Sequence, residues 1–204
     1  FDVPDTWKKI ISIVPGLVNP LSAHWYAVSP KGKVYVVAEH YAAGRDIEWH
    51  SKKIIEKCQC LNWPRGHDAK YTVLMDCAAN AQGLAGDMSV AQAFSRCGFS
   101  VITRVNKSLF AGISKVKEYL KCNEGGARLQ VFSCCVNMIR EFESYRYGND
   151  VPVKRNDHAM DELRYFLMWF VPSAQPEEKT AIQKDKERLA RRIALENKRK
   201  LRSF

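Results

Sequence analysis

No apolar run in the 204 residues approaches the roughly 18–20 needed to cross a bilayer, so no membrane span is expected. No G-x-x-x-x-G-K-S/T is present, which excludes a P-loop for nucleoside triphosphates. No G-x-S-x-G and no H-E-x-x-H occur, so the hydrolase nucleophile elbow and the zincin helix are unsupported. There are seven cysteines, but none form a C-x-x-C and no H-x3–5-H partner follows them. Their odd number, and the tight spacing of Cys58 with Cys60 and of Cys134 with Cys135, predicts free and mostly buried thiols in a reducing compartment. No signal-peptide pattern opens the chain. It begins on Phe1 rather than Met, and we expect a fragment of a longer protein.

What is present is a globular composition, 46% hydrophobic and 26% charged, with 32 Lys and Arg against 22 Asp and Glu. The formal net charge of +10 is unevenly spread: residues 175–204 hold ten basic and five acidic residues, half of the excess. A basic surplus suits a polyanion such as nucleic acid and equally suits a solvated surface. After Pro176 the tail is helix-prone, with only a thin apolar stripe of Ile182, Leu189 and Ile193. Such a stripe buries little by itself, and the tail reads as a solvated segment or as an arm for a partner.

Hydrophobic periodicity predicts three strands in a meander, Lys9–Val14, Ala23–Val28 and Lys33–Tyr41, the first stopped by Pro15-Gly16 and the second turned by Ser29-Pro30-Lys31-Gly32. The pattern then alternates. A helix over Asp46–Cys58 precedes a strand at Tyr71–Met75, and Ser89 caps a helix to Cys97 before a strand at Phe99–Val105. A helix from Ser108 and a short strand at Leu129–Phe132 lead to a helix at Val136–Tyr145. A polar loop over Tyr147–Asn156 is followed by a helix from Asp157 to Phe170 that turns Met160, Leu163, Leu167 and Phe170 inward. Short connections make the first half antiparallel and helical crossovers make the second half parallel.

Carboxylates at element ends are the remaining chemistry. Asp76 follows Val73-Leu74-Met75 at the carboxyl end of a strand, where ligands gather in open α/β sheets, and oxygen-rich sites there suit Mg2+ or Mn2+. A strand-end Asp also serves as a turn or cap residue. His158 and Asp161 stand three apart on one helix face near its positive end. Asp157 or Asn156 is placed to cap that helix, and Lys154 and Arg155 just before it read as phosphate contacts or as a solvated loop.

Several runs resemble the nuclease domain of the large terminase subunit of tailed bacteriophages and prophages: Ile11–Val28, Asp76–Phe94 (DCAANAQGLAGDMSVAQAF), Val105–Leu120, Asn137–Gly148 and Asp157–Phe166 (DHAMDELRYF). The resemblance spans roughly residues 10–170 and is specific in order and spacing. It implies a ribonuclease-H-like mixed sheet of about five main strands flanked by helices, over residues 1–174, with 175–204 as a basic C-terminal tail. It also implies an ATPase motor preceding such a domain, absent from this chain. The implied activity is cutting of concatemeric viral DNA by two-metal phosphodiester hydrolysis with Mg2+ or Mn2+ held by three acids. By position, Asp76 matches the second acid and Asp161 the third, with His158 its neighbour in H-x-x-D and Asp157 a cap or supporting group.

The first acid belongs at the end of strand one, directly before Pro-Gly, and there the chain has Val14, which cannot ligate a metal. Glu39, beside strand one in the assumed sheet, is the one candidate for rescue. Lys154, Arg155, Arg146 and Lys107 are the expected DNA contacts. The implied partners are double-stranded DNA, the portal and the small terminase subunit, in the host bacterial cytoplasm. Two other readings stand beside this one: a catalytically inactive ribonuclease-H-like module for DNA binding or packaging assembly, and another ribonuclease-H-like nuclease such as a junction resolvase.

Overall fold

The computed structural model describes residues 2–16, 19–81 and 88–170. The basic tail at 175–204 lies outside the described residues. The strands are β1 Lys8–Val14, β2 Leu21–Val28, β3 Val34–Ala42, β4 Tyr71–Met75, β5 Phe99–Ile102, β6 Cys122–Asn123, β7 Gly126–Ala127, β8 Leu129–Val131, β9 Tyr147–Gly148 and β10 Val151–Pro152. The α-helices are α1 Ile47–Cys60, α2 Val90–Arg96, α3 Leu109–Leu120, α4 Val136–Ser144 and α5 His158–Trp169.

Six strands form one mixed sheet in the order β5-β4-β1-β2-β3-β8. β1, β2 and β3 pair antiparallel, while β4 joins β1, β5 joins β4 and β8 joins β3 in parallel. The meander predicted from short connections is therefore the middle of the sheet, and the crossover strands extend it on both sides. Alternation along each strand splits the core into two layers. Ile11, Ile13, Ala23, Trp25, Val73 and Met75 pack against Ile54 and Cys58 of α1 and Phe94 of α2. Ile10, Tyr26, Val36 and Leu74 pack against Leu163, Phe166 and Leu167 of α5, Met138 of α4 and Tyr119 of α3. Tyr26 and Phe166 stack with centroids 3.8 Å apart, tying the central strand to α5.

Local signals fix several ends. Asp46 accepts a hydrogen bond from the Trp49 amide at 2.7 Å and starts α1. Ser89 and Gln92 form a capping box at α2. Gly32, at φ +73°, closes the β2–β3 turn with its amide 2.9 Å from the Ser29 carbonyl. Two expectations change. β5 stops at Ile102 rather than at Val105, because the chain leaves the sheet at Thr103, whose hydroxyl accepts a hydrogen bond from the Asn80 amide at 2.7 Å. The segment read as a polar loop over 147–156 contains the β9–β10 hairpin, turned by Asn149 (φ +49°) and Asp150 (φ +65°). Positive φ at both central residues matches the twist of a hairpin, and Asn-Asp was its signal in the sequence.

Candidate active site at the ends of the parallel strands

β1 and β4 run side by side with Ile13 opposite Met75, so their next residues, Val14 and Asp76, are neighbours at the carboxyl edge of the sheet. Both have the strand parity of Ile10 and Leu74, which face α5. Pro15 and Gly16 then carry the chain away, and a Cβ at Gly16 would collide with the backbone of Asn19 and Pro20. A cavity of about 480 Å³ opens at this edge, lined among others by Val14, Gly16, Arg45, His50, Asp76 and His158. Three of the positions singled out by sequence, Val14, Asp76 and His158, thus border one space.

Asp161 is not among the residues lining that cavity. It pairs with Arg164 at 2.5 Å and with Lys154 at 3.1 Å. Arg164 also donates to the Lys107 carbonyl at 3.2 Å, and the Lys107 ammonium pairs with Asp76 at 2.9 Å. Lys154 bridges to Asp157 as well, at 3.1 Å. Two ion-paired groups, Asp76–Lys107 and Arg164–Asp161–Lys154–Asp157, are therefore joined through the Lys107 backbone carbonyl. Burial raises the Tyr165 hydroxyl, and both Asp161 and Asp76 push it further up, so the two carboxylates act on one phenol. Burial also works against ionisation of Asp76, but Lys107 and the Ala78 amide outweigh it and hold the carboxyl below its usual range. Asp76 additionally caps the short 3-10 turn Cys77–Asn80 through the Ala78 amide at 3.0 Å, so the capping role foreseen for a strand-end Asp is filled as well.

The expected DNA contacts divide into two groups. Lys107 and Lys154 are engaged by the acids. Arg146 and Arg155 line a separate recess of about 290 Å³ beside the β9–β10 hairpin.

Two expectations are corrected. Asp157 occupies the N-cap position of α5 but makes no side-chain cap bond. The cap comes from Glu141 of α4, which accepts from the Ala159 amide at 2.7 Å, the Met160 amide at 3.2 Å and the Tyr41 hydroxyl at 2.6 Å. Glu39 does not adjoin strand one, because β2 lies between them. Its carboxylate accepts from the Asn137 amide at 3.0 Å and the Met138 amide at 3.2 Å, starting α4, and meets His24 at 3.3 Å. It is spent on the fold, away from Val14, so the rescue expected of Glu39 is not found.

Sequence reasoning also missed a buried polar line behind the site. His24 Nδ1 lies 2.6 Å from Glu162, which also accepts from the Tyr26 hydroxyl at 3.0 Å. Burial disfavours the imidazolium, yet Glu162 and Glu39 outweigh it and raise His24 to about 9. Glu162 directly follows Asp161, and the inward-facing charge on α5 was the one available hint. His50 and His40 were missed too: His40 Nε2 and His50 Nδ1 are 2.8 Å apart. Burial lowers both rings, His40 to about 4, with the Arg45 backbone opposing the shift at His50.

The sheet order, the crossover helices and an acid at the carboxyl end of β4 define a ribonuclease-H-like α/β fold. Among solved structures, the P22 large terminase nuclease domain is similar over 82% of this chain and 84% of its own, at 20% identity and a TM-score of 0.66. A large terminase from a thermophilic bacteriophage is similar over 81% of this chain at 22% identity and a TM-score of 0.63; this chain spans 40% of its length. The large terminase nuclease of a second thermophilic phage, G20c, solved with bound cobalt, is similar over 83% of this chain and 85% of its own, at 10% identity and a TM-score of 0.54. No protein-family model and no curated protein matches the sequence. These likenesses establish the fold.

Proposed function

We propose that the chain is the nuclease-type domain of a phage DNA-packaging large terminase, with residues 1–174 as the domain and 175–204 as a basic arm. The observation that carries this reading is the juxtaposition of Val14, Asp76 and His158 around one cavity in a fold shared with terminase nuclease domains. Double-stranded DNA is the proposed substrate, approached through phosphates rather than base edges. Arg146 and Arg155, which make no ion pair among the described residues, are the proposed outer contacts. The portal and the small subunit are the proposed partners, and the host bacterial cytoplasm the proposed setting.

The side chains present do not fit a two-metal centre. No three His, Cys, Asp or Glu side chains assemble as a metal site among the described residues. Val14 offers no oxygen where a bridging carboxylate is expected, and Asp76 and Asp161 are each neutralised by a side-chain cation. No hydrolytic step is derived through Mg2+ or Mn2+ for the chain as it stands. What its own residues supply is a cavity of about 480 Å³ lined by one ion-paired carboxylate, Asp76.

Restoring the acid tests the reading. Val14→Asp is expected to raise Mn2+-dependent nicking of supercoiled plasmid above the parent, and more so with Lys107→Ala, which frees Asp76. Salt-sensitive duplex binding with no nicking by either variant would instead select the second reading, a DNA-binding or assembly module. The ion pairs already holding Asp76 and Asp161 are the observation that favours that alternative.

A further inference from the structure

His50 is 1% exposed, and its Nε2 has no hydrogen-bond partner. A buried imidazole nitrogen without a partner costs free energy, so its placement calls for a ligand. The ring sits in the first turns of α1 and lines the same cavity as Asp76. Its opposite nitrogen, Nδ1, is held by His40 Nε2 at 2.8 Å, which fixes the ring and leaves Nε2 as the free edge. Arg45, exposed just before the Asp46 cap, also lines the cavity, with its guanidinium 5.3 Å from the Trp49 ring.

We propose that His50 and Arg45, which line this cavity together with Asp76, form a phosphate-binding wall that holds a DNA backbone phosphate from the α1 side. The inference rests on the reading of the domain as one that engages DNA. The inventory of charge decides between anion and cation. A metal would need further ligands, and no set of three assembles among the described residues. The one carboxylate lining the cavity, Asp76, is already paired with Lys107, whereas the Arg45 charge has no acidic partner among the described ion pairs. A phosphate oxygen selects the tautomer in which His40 donates to His50 Nδ1 and His50 presents an Nε2–H. The Asp46 carboxylate already caps the positive end of α1, so the attraction comes from Arg45 and the His50 ring rather than from the helix end.

Two substitutions separate the two edges of the ring. His50→Asn keeps a polar atom where Nδ1 meets His40 and removes the Nε2 edge; His50→Gln does the reverse. In the 204-residue chain, fluorescence anisotropy with a labelled duplex is expected to show about tenfold weaker binding for His50→Asn and for Arg45→Ala, with His50→Gln within about twofold of the parent. Nitrogen-15 spectra of the histidine rings, titrated with inorganic phosphate, are expected to move His50 Nε2 toward its protonated position. The proposal is overturned if the parent binds duplex while phosphate leaves that resonance unmoved. It is overturned too if His50→Gln binds worse than His50→Asn, the order that a purely structural His40 contact produces. A parent that binds no duplex but whose Nε2 responds to phosphate would uphold the subsite and overturn the DNA reading.

Discussion

Val14 ends β1 beside Asp76 with two methyl groups, and the carboxylates of this region are satisfied by side-chain cations. Lys107, Arg164 and Lys154 neutralise Asp76, Asp161 and Asp157 in turn. Arg164 is the member most tightly placed, because α3 presents Gly112 to it. A Cβ at Gly112 would collide with the Arg164 side chain. Gly112→Ala is therefore expected to cost about 1–3 kcal/mol through overpacking, despite the higher helix propensity of alanine. Chemical denaturation reads the loss, and a crystal structure of the variant should show Arg164 displaced from Asp161. A variant as stable as the parent, with that ion pair intact, would show that the α3–α5 contact has slack.

At the scale of elements, two helices begin under caps borrowed from elsewhere in the chain. Glu39 of β3 starts α4, and Glu141 of α4 starts α5, so the sheet orders one helix and that helix orders the next. The first turn of α5 carries His158 and Asp161, so the position of the candidate site depends on a glutamate that touches no ligand. Glu141→Ala is expected to destabilise the protein by about 2–4 kcal/mol, since it strips the cap and leaves the Tyr41 hydroxyl and two helix amides unpaired. Hydrogen exchange should quicken first at the Ala159 and Met160 amides. Exchange that quickens evenly over the whole chain would mean that the cap matters only to global stability. The β9–β10 hairpin and the early end of β5 belong to the same scale. Each redirects a loop carrying basic residues, Arg146 and Arg155 in one case and Lys107 in the other.

For the whole molecule, the buried line through Glu39, His24 and Glu162 couples the sheet to α5 by charge and makes stability depend on pH. His24 is raised from 6.5 to about 9 in the folded protein, Glu162 and Glu39 overcoming the effect of burial. Between those values the folded state holds a proton that the unfolded chain releases, so the contribution is complete below pH 6.5 and is lost as pH climbs toward 9. Urea unfolding at intervals from about pH 6 to about pH 9 should show a decline that Glu162→Gln makes shallower. A flat parent profile would mean that His24 is neutral in the fold.

How much of this was legible beforehand follows the range of the forces involved. Alternation in β1 to β4, the Ser89 cap and the inward row on α5 are near-neighbour patterns, and the sequence by itself determined them, along with the fold class and the places of Val14 and Asp76 at their strand ends. It could not determine that Glu141 rather than Asp157 caps α5, that Glu39 starts α4, or that His50 joins Asp76 at one cavity. Those pairings link residues on different elements, far apart in the chain. Which distant carboxylate meets which amide or imidazole is chosen only when the sheet closes and water is excluded, because an unpaired charge in that interior costs more than any local preference gains.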